Sequence, residues 1–290
     1  MKVINNCPLC GSEKQREVAK APHFRGSNEK FSIAECGACG FWFSSPRPED
    51  DDLGRYYDAE NYDSHRNDKS GIIDRVYYGV RQFAAKSKLG LIESLHPEKG
   101  SILDIGAGSG FFLSVMKEAN WSVSGMEPEK VGRESAAELG IELRASLDDF
   151  NGESFGAITL WHVLEHLPNL KGDFQKLMDL LEPNGHLIIA VPNRESYDAK
   201  IYGDSWAALD MPIHLYHFRK RDIKALAEEY NMEVVQIKNM RFDSFYVSML
   251  SEKIKNNKGN LPKAFITGLK SNLKAGSDNA SSLIYVLKKK

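Results

Sequence analysis

Short apolar runs alternate with helically spaced apolar positions along the second part of the chain. Residues 102–105 form one such run, which ends at a glycine-rich loop over residues 106–110. Such a run predicts a buried strand, and positions that repeat with a helical period predict one face of an amphipathic helix. Beyond the loop the apolar positions with helical spacing are Phe112, Val115, Met116 and Ala119. This stretch therefore predicts a strand, a glycine loop and a helix.

The alternation continues toward the C-terminal end. Apolar runs predict further strands at 121–126, 155–161 and 282–287, and another run ends at Val191. Strands that alternate with helices predict an α/β fold with a doubly wound, mostly parallel sheet. The helically spaced apolar positions are Ile73, Val76, Tyr77, Val80, Phe83 and Ala84, then Phe174, Leu177 and Leu181, then Ile223, Leu226, Ala227 and Tyr230.

The spacing of the glycines narrows the choice of ligand. Nicotinamide and flavin proteins require G-x-G-x-x-G, whereas position 111 is Phe, and no Gly-Lys-Ser/Thr follows to form a phosphate-binding P-loop. Glycines without side chains still let the backbone approach a bound nucleoside closely. We therefore expect the cofactor at Asp104, Gly106, Ala107, Gly108 and Gly110.

This motif resembles the first motif of the class I S-adenosylmethionine-dependent methyltransferases, an apolar strand ending in D/E-x-G-x-G-x-G. The resemblance covers roughly residues 96–290. It implies that Glu127, at the end of the second apolar run, binds both ribose hydroxyls. It also implies a seven-stranded sheet whose last strand, near 281–288, runs antiparallel beside a strand at 232–239. S-adenosylmethionine is the implied donor and S-adenosylhomocysteine the product, with further cofactor contacts at Pro128, Asp148, Asp149 and His162.

All four cysteines lie in two C-x-x-C-G knuckles near the N-terminus. Four thiolates at this spacing favour a tetrahedral structural zinc site. Iron in a rubredoxin-like module and two disulfides are the alternatives. We expect a zinc ribbon over 1–45, a helical connector over 46–95, and a methyltransferase domain over 96–290 with insertions at 194–218 and 241–278. The predicted metal ligands are Cys7, Cys10, Cys36 and Cys39.

Three tyrosines precede the helical connector. Tyr56, Tyr57 and Tyr62 either pack between the ribbon and the main domain or form aromatic walls of a binding pocket.

The insertion after the fifth strand carries the predicted acid–base chemistry. In open α/β sheets the ligand lies beyond the carboxyl ends of the strands, so this segment should border the acceptor. It is similar in Asp210, His214, Leu215 and Phe218 to nucleotide-sugar methyltransferases that also carry an N-terminal zinc module. Met211 and Ile213 stand where those enzymes have Tyr and Glu, which argues against C-methylation of a keto-sugar and leaves O-methylation of a sugar or other polyol open. The predicted catalytic residues are His214 and His162.

Charge supports a second hypothesis. The formal net charge is −2, yet residues 251–290 carry nine lysines against two acids, and a basic region beside a zinc ribbon could bind RNA. The lysines lie in helix-like and strand-like segments, so we expect a small-molecule acceptor instead of nucleic acid.

No apolar stretch approaches the ~20 residues of a membrane span, and the N-terminus lacks a signal peptide pattern. We expect a cytoplasmic enzyme without a membrane partner, and a protein that binds the donor without transferring it is a third possibility. The oligomeric state is not predicted.

Overall fold

The structure, a computed structural model, describes residues 1–23, 29–56, 72–256 and 258–290, with the side chains of 72–77 left out. Tyr57 and Tyr62 lie outside the described residues, as do the side chains of Ile73, Val76 and Tyr77. Tyr56 is buried edge-on against Phe31, 5.6 Å between ring centroids, which favours its packing role.

A small antiparallel sheet forms the N-terminal region. Its order is β1-β2-β3-β8, with β1 at Gln15–Pro22, β2 at Lys30–Cys36 and β3 at Trp42–Ser44. The fourth strand, β8 at Tyr216–His217, comes from the segment that follows the fifth strand of the main sheet. The segment predicted to border the acceptor is thus also part of the N-terminal sheet.

The main sheet has six strands in the order β5-β4-β6-β7-β10-β9 among the described residues. The first four are mutually parallel, and β10 is antiparallel to both of its neighbours, as the resemblance implied for the last strand. The strands are β4 (Ser101–Ile105), β5 (Ser122–Met126), β6 (Phe155–Trp161), β7 (Leu181–Pro192), β9 (Met232–Met240) and β10 (Ser282–Lys289).

The expected seventh strand is reduced to a single bridge. Beyond β5, only Met126 and Arg144 pair in parallel. The backbone hydrogen bonds there run from Glu127 N–H to Arg144 O and from Arg144 N–H to Gly125 O. Pairing stops because Ser146 caps a short 3-10 helix over Leu147–Phe150 directly afterwards. The doubly wound α/β fold class is confirmed, and the described residues form six strands of this sheet where seven were expected.

Eight α-helices accompany the sheets in the described part of the chain. The helix after the glycine loop buries Phe112, Val115 and Met116, in line with its sequence period. The helices are α1 (Ile72–Leu95), α2 (Phe111–Glu118), α3 (Lys130–Glu138), α4 (Leu170–Asp179), α5 (Tyr197–Tyr202), α6 (Lys220–Glu229), α7 (Asp243–Asn256) and α8 (Leu261–Lys274).

Alternate residues of the central strands point into two separate cores. Ile102 of β4 belongs to the core that contains α2, whereas Leu103 and Ile105 belong to the core on the opposite face. Such burial on both faces explains why these strands appear as continuous apolar runs. It also leaves the strand ends as the place where polar side chains gather.

Candidate active site

A cavity of about 780 Å³ opens at the carboxyl ends of β4, β5 and β6. Its walls are the glycine loop, the residues after β5 and β6, and one face of α1. This is the position at which open α/β sheets bind ligands. The predicted site residues that line it are Asp104, Gly106, Ala107, Gly108, Glu127, Pro128 and His162.

The three glycines serve different purposes. All have positive φ, at 65° for Gly106, 55° for Gly108 and 68° for Gly110, where other residues are strained. A Cβ on Gly106 would lie 2.5 Å from Val163 Cγ2, and one on Gly110 would lie 2.8 Å from Ala136 Cβ. At Gly108 nothing lies within 4 Å. Gly110 is therefore needed for packing outside the cavity, whereas Gly108 presents its backbone to open cavity space.

Glu127 fixes the glycine loop from the end of β5. Its Oε2 accepts a hydrogen bond from Gly108 N–H at 2.8 Å, and its Oε1 accepts one from Glu129 N–H at 2.9 Å. Asp104 accepts a hydrogen bond from Thr159 Oγ1 at 2.5 Å, and burial raises the pKa of Asp104 to about 7. Two acidic side chains thus converge on one wall of the cavity.

Helix α1 adds two cations to the lining of the cavity that sequence reasoning missed. Arg81 donates to Ser109 Oγ at 2.6 Å, and Lys88 Nζ lies 4.3 Å from the ring centroid of Trp161. Burial lowers the pKa of Lys88 to about 8, against the raising effect of Asp104. The sequence could have indicated them, because Arg81 and Lys88 lie two helical turns apart on α1 and therefore share one face of that helix.

Asp148 and Asp149 do not line the cavity. Asp149 caps the short 3-10 helix by accepting from Ser146 N–H at 3.0 Å, and Asp148 forms an ion pair with Lys176 at 2.5 Å. Ser146 and Leu147 reach the cavity in their place. The assignment of the two aspartates to cofactor binding stays a prediction to which this geometry gives no support.

His162 lies in the cavity wall between two carboxylates. Its backbone has φ 58°, its Nε2 is 2.8 Å from Asp243 Oδ2, and its Nδ1 is 3.3 Å from Glu165 Oε1. Burial alone would lower the pKa of His162, but Asp243 and then Glu165 raise it to about 10. The ring is therefore an imidazolium at neutral pH, and both of its nitrogens donate to carboxylates.

His166, which was not predicted as a site residue, lines the same cavity four residues later. Its Nδ1 lies 3.0 Å from Ile213 O, so Nδ1 carries the proton and the lone pair resides on Nε2. Burial, followed by the charge of His214, lowers the pKa of His166 to about 4. His166 is thus neutral under ordinary conditions.

His214 lies behind His166 and does not line the cavity. The two rings meet edge-on with 4.6 Å between centroids, and His214 Nδ1 donates to Ala208 O at 2.9 Å. One ring nitrogen from each histidine and a carboxylate oxygen of Glu165 lie within 4.8 Å of one another. The structure therefore brings the predicted His214 next to the site but places His166 between it and the cavity.

The four cysteines meet at the turn ends of the N-terminal sheet. All four sulfurs lie within 4.8 Å of one another, with 3.7 Å between Cys7 Sγ and Cys39 Sγ and 3.5 Å between Cys10 Sγ and Cys36 Sγ. Tetrahedral Zn–S bonds of ~2.3 Å imply sulfur separations of roughly 3.8 Å. The cysteines are not joined by disulfides. They form a four-cysteine cluster whose geometry fits a metal site.

Two arginines tie this cluster to the main sheet. Arg219, which is buried and paired with Asp222, donates to Cys39 O at 3.1 Å, and Arg194 donates to Gly40 O at 2.7 Å. Ser44 of β3 donates to His214 O at 2.9 Å. The second knuckle and the histidine segment are therefore parts of one hydrogen-bonded assembly.

The fold and the glycine-loop cavity define the Rossmann-like methyltransferase class. A family model described as a methyltransferase domain matches residues 79–237, more than half of the chain. The chain belongs to this methyltransferase-domain family.

Two curated proteins illustrate the sequence relationship. The ubiquinone biosynthesis O-methyltransferase of Actinobacillus pleuropneumoniae serotype 5b is 30% identical over 135 residues, which cover 41% of this chain and 58% of that protein. The protein of the same name from Dinoroseobacter shibae is 29% identical over 185 residues, or 58% of this chain and 74% of that protein. The chain thus spans less than two thirds of the first relative's length.

Solved structures share the fold at low sequence identity. Magnesium protoporphyrin IX methyltransferase from Synechocystis PCC 6803, with bound S-adenosylhomocysteine, has a TM-score of 0.55 and 11% identity, covering 83% of this chain and 100% of that chain. The plantazolicin methyltransferase BpumL, also with S-adenosylhomocysteine, has a TM-score of 0.53 and 13% identity, covering 83% of this chain and 94% of that chain. These similarities concern the fold.

Proposed function

We propose that the chain transfers a methyl group from S-adenosylmethionine to a hydroxyl of a small-molecule acceptor in the cavity. The observation that carries this proposal is the Gly108 backbone, held by Glu127 and facing open cavity space beside the buried Asp104. The relatives named as O-methyltransferases support the reaction class. A nucleotide-linked sugar or another polyol is the acceptor class we favour.

The donor-binding groups follow from the chemistry of the donor. Glu127 and Asp104 supply acceptors for ribose hydroxyls and for an ammonium group, and Lys88 supplies a cation for a carboxylate. When bound, S-adenosylmethionine supplies a methyl group activated by a sulfonium. The protein aligns the acceptor oxygen with that methyl group, and alignment alone can contribute several kcal/mol.

The acceptor hydroxyl must lose its proton during the transfer. We assign this role to His166, because it lines the cavity and carries its lone pair on Nε2. A weak base suffices, since the hydroxyl proton becomes strongly acidic as the new C–O bond forms. His214, predicted from sequence, supports His166 from behind, and the charged His162 holds the loop.

For the four-cysteine cluster we propose a structural Zn²⁺ bound by Cys7, Cys10, Cys36 and Cys39. A closed site of four thiolates fits zinc, and the sulfur separations fit its bond lengths. The ion would stabilise the second knuckle, whose backbone carbonyls accept hydrogen bonds from Arg194 and Arg219. We retain the division into a ribbon over 1–45, a connector over 46–95 and a methyltransferase domain over 96–290. Strand β8 belongs to the third segment but pairs with β3 of the ribbon.

The test is transfer of labelled methyl from S-adenosylmethionine into a fractionated cell extract, with and without ribonuclease. We expect label in a small, ribonuclease-resistant fraction, and loss of that label with a Gly108→Val variant. Ribonuclease-sensitive label in large material would overturn the small-molecule proposal in favour of RNA. No transfer into any fraction, with donor binding intact, would favour a donor-binding protein without activity.

A further inference from the structure

The α7–α8 hairpin has its polarity reversed relative to an ordinary surface hairpin. Its inward face is small and polar, and its outward face carries large apolar side chains that are 39% to 74% exposed. The buried positions are Ser244, Ser248, Ser251, Glu252, Ala264, Thr267, Gly268 and Ser271. The exposed set, called here the hairpin apolar face, is Phe242, Tyr246, Met249, Leu261, Phe265, Ile266, Leu269 and Leu273.

Specific contacts lock this orientation. Ser244 Oγ donates to Gly268 O at 3.2 Å, and Ser271 Oγ donates to the buried Asp198 at 2.6 Å. A Cβ on Gly268 would lie 3.0 Å from Phe245 Cα, so the two helices cross too closely for a larger residue. Turning α8 to bury its apolar side would take one hydrogen-bond donor away from the buried Asp198, and a hydrogen bond lost at a buried group costs about 1–3 kcal/mol. The exposed apolar side is therefore a built feature of the fold.

The face continues toward the cavity. Phe242 meets Phe83 of α1 edge-on, with 5.6 Å between ring centroids, and Phe83 is itself 59% exposed. Arg81, Ala84 and Lys88 on the same helix line the cavity. The apolar surface thus extends from the hairpin onto the helix that walls the proposed active site.

Charge decides which partner fits. Residues 243–274 contain six lysines and two acids, and both acids are engaged, Asp243 with His162 and Glu252 with Lys263. Lys270 follows Ile266 by one helical turn and is exposed like it, and Lys253 follows Met249 in the same way. A second copy of the chain on this face would bring two sets of lysines together, whereas an anionic bilayer accepts both the apolar side chains and the lysines.

We propose that the hairpin apolar face docks on an anionic lipid bilayer, with the hairpin lying in the interface. No described helix combines the length and the apolar character needed to cross a membrane, so the proposed contact is peripheral. It would bring α1, which lines the cavity, close to the membrane surface. A cavity in that position would suit an amphiphilic acceptor that resides in the membrane. The proposal differs from the sequence-based expectation of no membrane partner, and it does not depend on methyl transfer.

The test is flotation of the full chain with vesicles of phosphatidylcholine alone or with about a third phosphatidylglycerol. We expect binding to the anionic vesicles that weakens with added salt. Lys253→Glu with Lys270→Glu should reduce the partition coefficient at least tenfold, since each surface lysine contributes about fivefold. Phe265→Ser with Leu269→Ser should reduce it similarly. Val131→Ser, at a 56% exposed position on α3, is the matched control and should leave it unchanged.

Two results would overturn the proposal. One is failure of the wild-type chain to float with anionic vesicles at low salt. The other is equal flotation of the wild type and both double variants. Sedimentation velocity on the same samples identifies the competing occupant, because a stable dimer that Phe265→Ser with Leu269→Ser dissociates, together with no vesicle binding, would assign the face to a second copy. Both double variants change exposed side chains only, and unchanged thermal unfolding verifies that they fold.

Discussion

The glycine loop over 106–110 and the histidine loop over 162–168 meet at one cavity but are held in different ways. Backbone conformation and one neighbouring carboxylate, Glu127, fix the glycine loop. Partners distant in sequence fix the histidine loop, with Asp243 bound to His162 and the Ile213 carbonyl bound to His166. The first loop is encoded locally, whereas the second depends on elements that fold against it.

This difference predicts how each loop fails. A change at Gly108 should abolish donor binding and leave the rest of the fold intact. A change in the partners of the histidine loop should affect catalysis or stability and leave donor binding in place. The following five experiments probe the two loops and the cysteine cluster.

The largest effect is expected from Gly108→Val. The side chain enters the cavity and the residue has φ 55°, so we expect donor binding to fall at least a hundredfold in calorimetric titration with S-adenosylhomocysteine. Gly152→Val is the control, because Gly152 also has positive φ, at 85°, with nothing near its Cβ position. Equal loss of binding in both variants would point to backbone strain and against a role for Gly108 in the cavity.

Loss of one proposed zinc ligand should have the next largest effect. Cys36→Ser should abolish bound zinc, measured by mass spectrometry of the metal, and destabilise the N-terminal sheet by roughly 5 kcal/mol or more in urea unfolding. Ala38→Ser, an exposed change in the same knuckle, should do neither. Iron in place of zinc in the purified wild type would contradict the assignment of the ion.

His166→Ala tests the proposed base. We expect kcat to fall about 10²–10⁴-fold with donor affinity unchanged, the usual range for a proton-transfer group. His214→Ala should have a smaller effect, because His214 does not line the cavity. The reverse order would restore His214 as the base and reduce His166 to a support.

The pH dependence of kcat for methyl transfer offers a separate test of His166 as the base. A base must be unprotonated, and the pKa of His166 is lowered to about 4. With the donor saturating, kcat of the wild type should therefore hold constant down to about pH 5 and fall below it. A fall centred near pH 6.5 would point to a histidine of ordinary pKa instead.

The smallest effect is expected from Asp243→Asn, which removes one carboxylate from His162. The raised pKa of His162 means that its ion pair stabilises the fold fully below pH 6.5 and loses that effect as the pH rises through about 10. We expect a loss of ~1.5–3 kcal/mol in urea unfolding at pH 6, the range for a hydrogen bond to a charged group. The difference from wild type should shrink toward pH 10.5, and a constant difference would contradict the ion pair.

The sequence predicted those features that local pattern determines. Gly106, Gly108 and Glu127 were found because glycine spacing and strand ends place them by short-range rules. All three line the cavity, and β4 and β5 are parallel as predicted. The four cysteines were found in the same way, since each knuckle is a local turn.

Other features depend on tertiary contacts that no local pattern carries. The pairing of β8 with β3 joins residues far apart in sequence, and so does the hydrogen bond from His166 Nδ1 to Ile213 O beside the His166–His214 ring contact. Lys88 reaches the cavity only because α1 packs over the glycine loop. The α7–α8 hairpin could not be predicted for a different reason. Apolar residues at helical spacing ordinarily indicate the buried face of a helix, whereas in this hairpin they form the exposed face.

The proposed function requires that the glycine loop and Glu127 bind the methyl donor beside His166. The most direct measurement is a crystal structure of the chain with S-adenosylhomocysteine. We expect the ligand in the cavity at the ends of β4, β5 and β6, with its ribose at Glu127 and its amino-acid end between Gly108 and Asp104. Ligand density elsewhere, or an empty cavity in crystals soaked at saturating concentration, would contradict it.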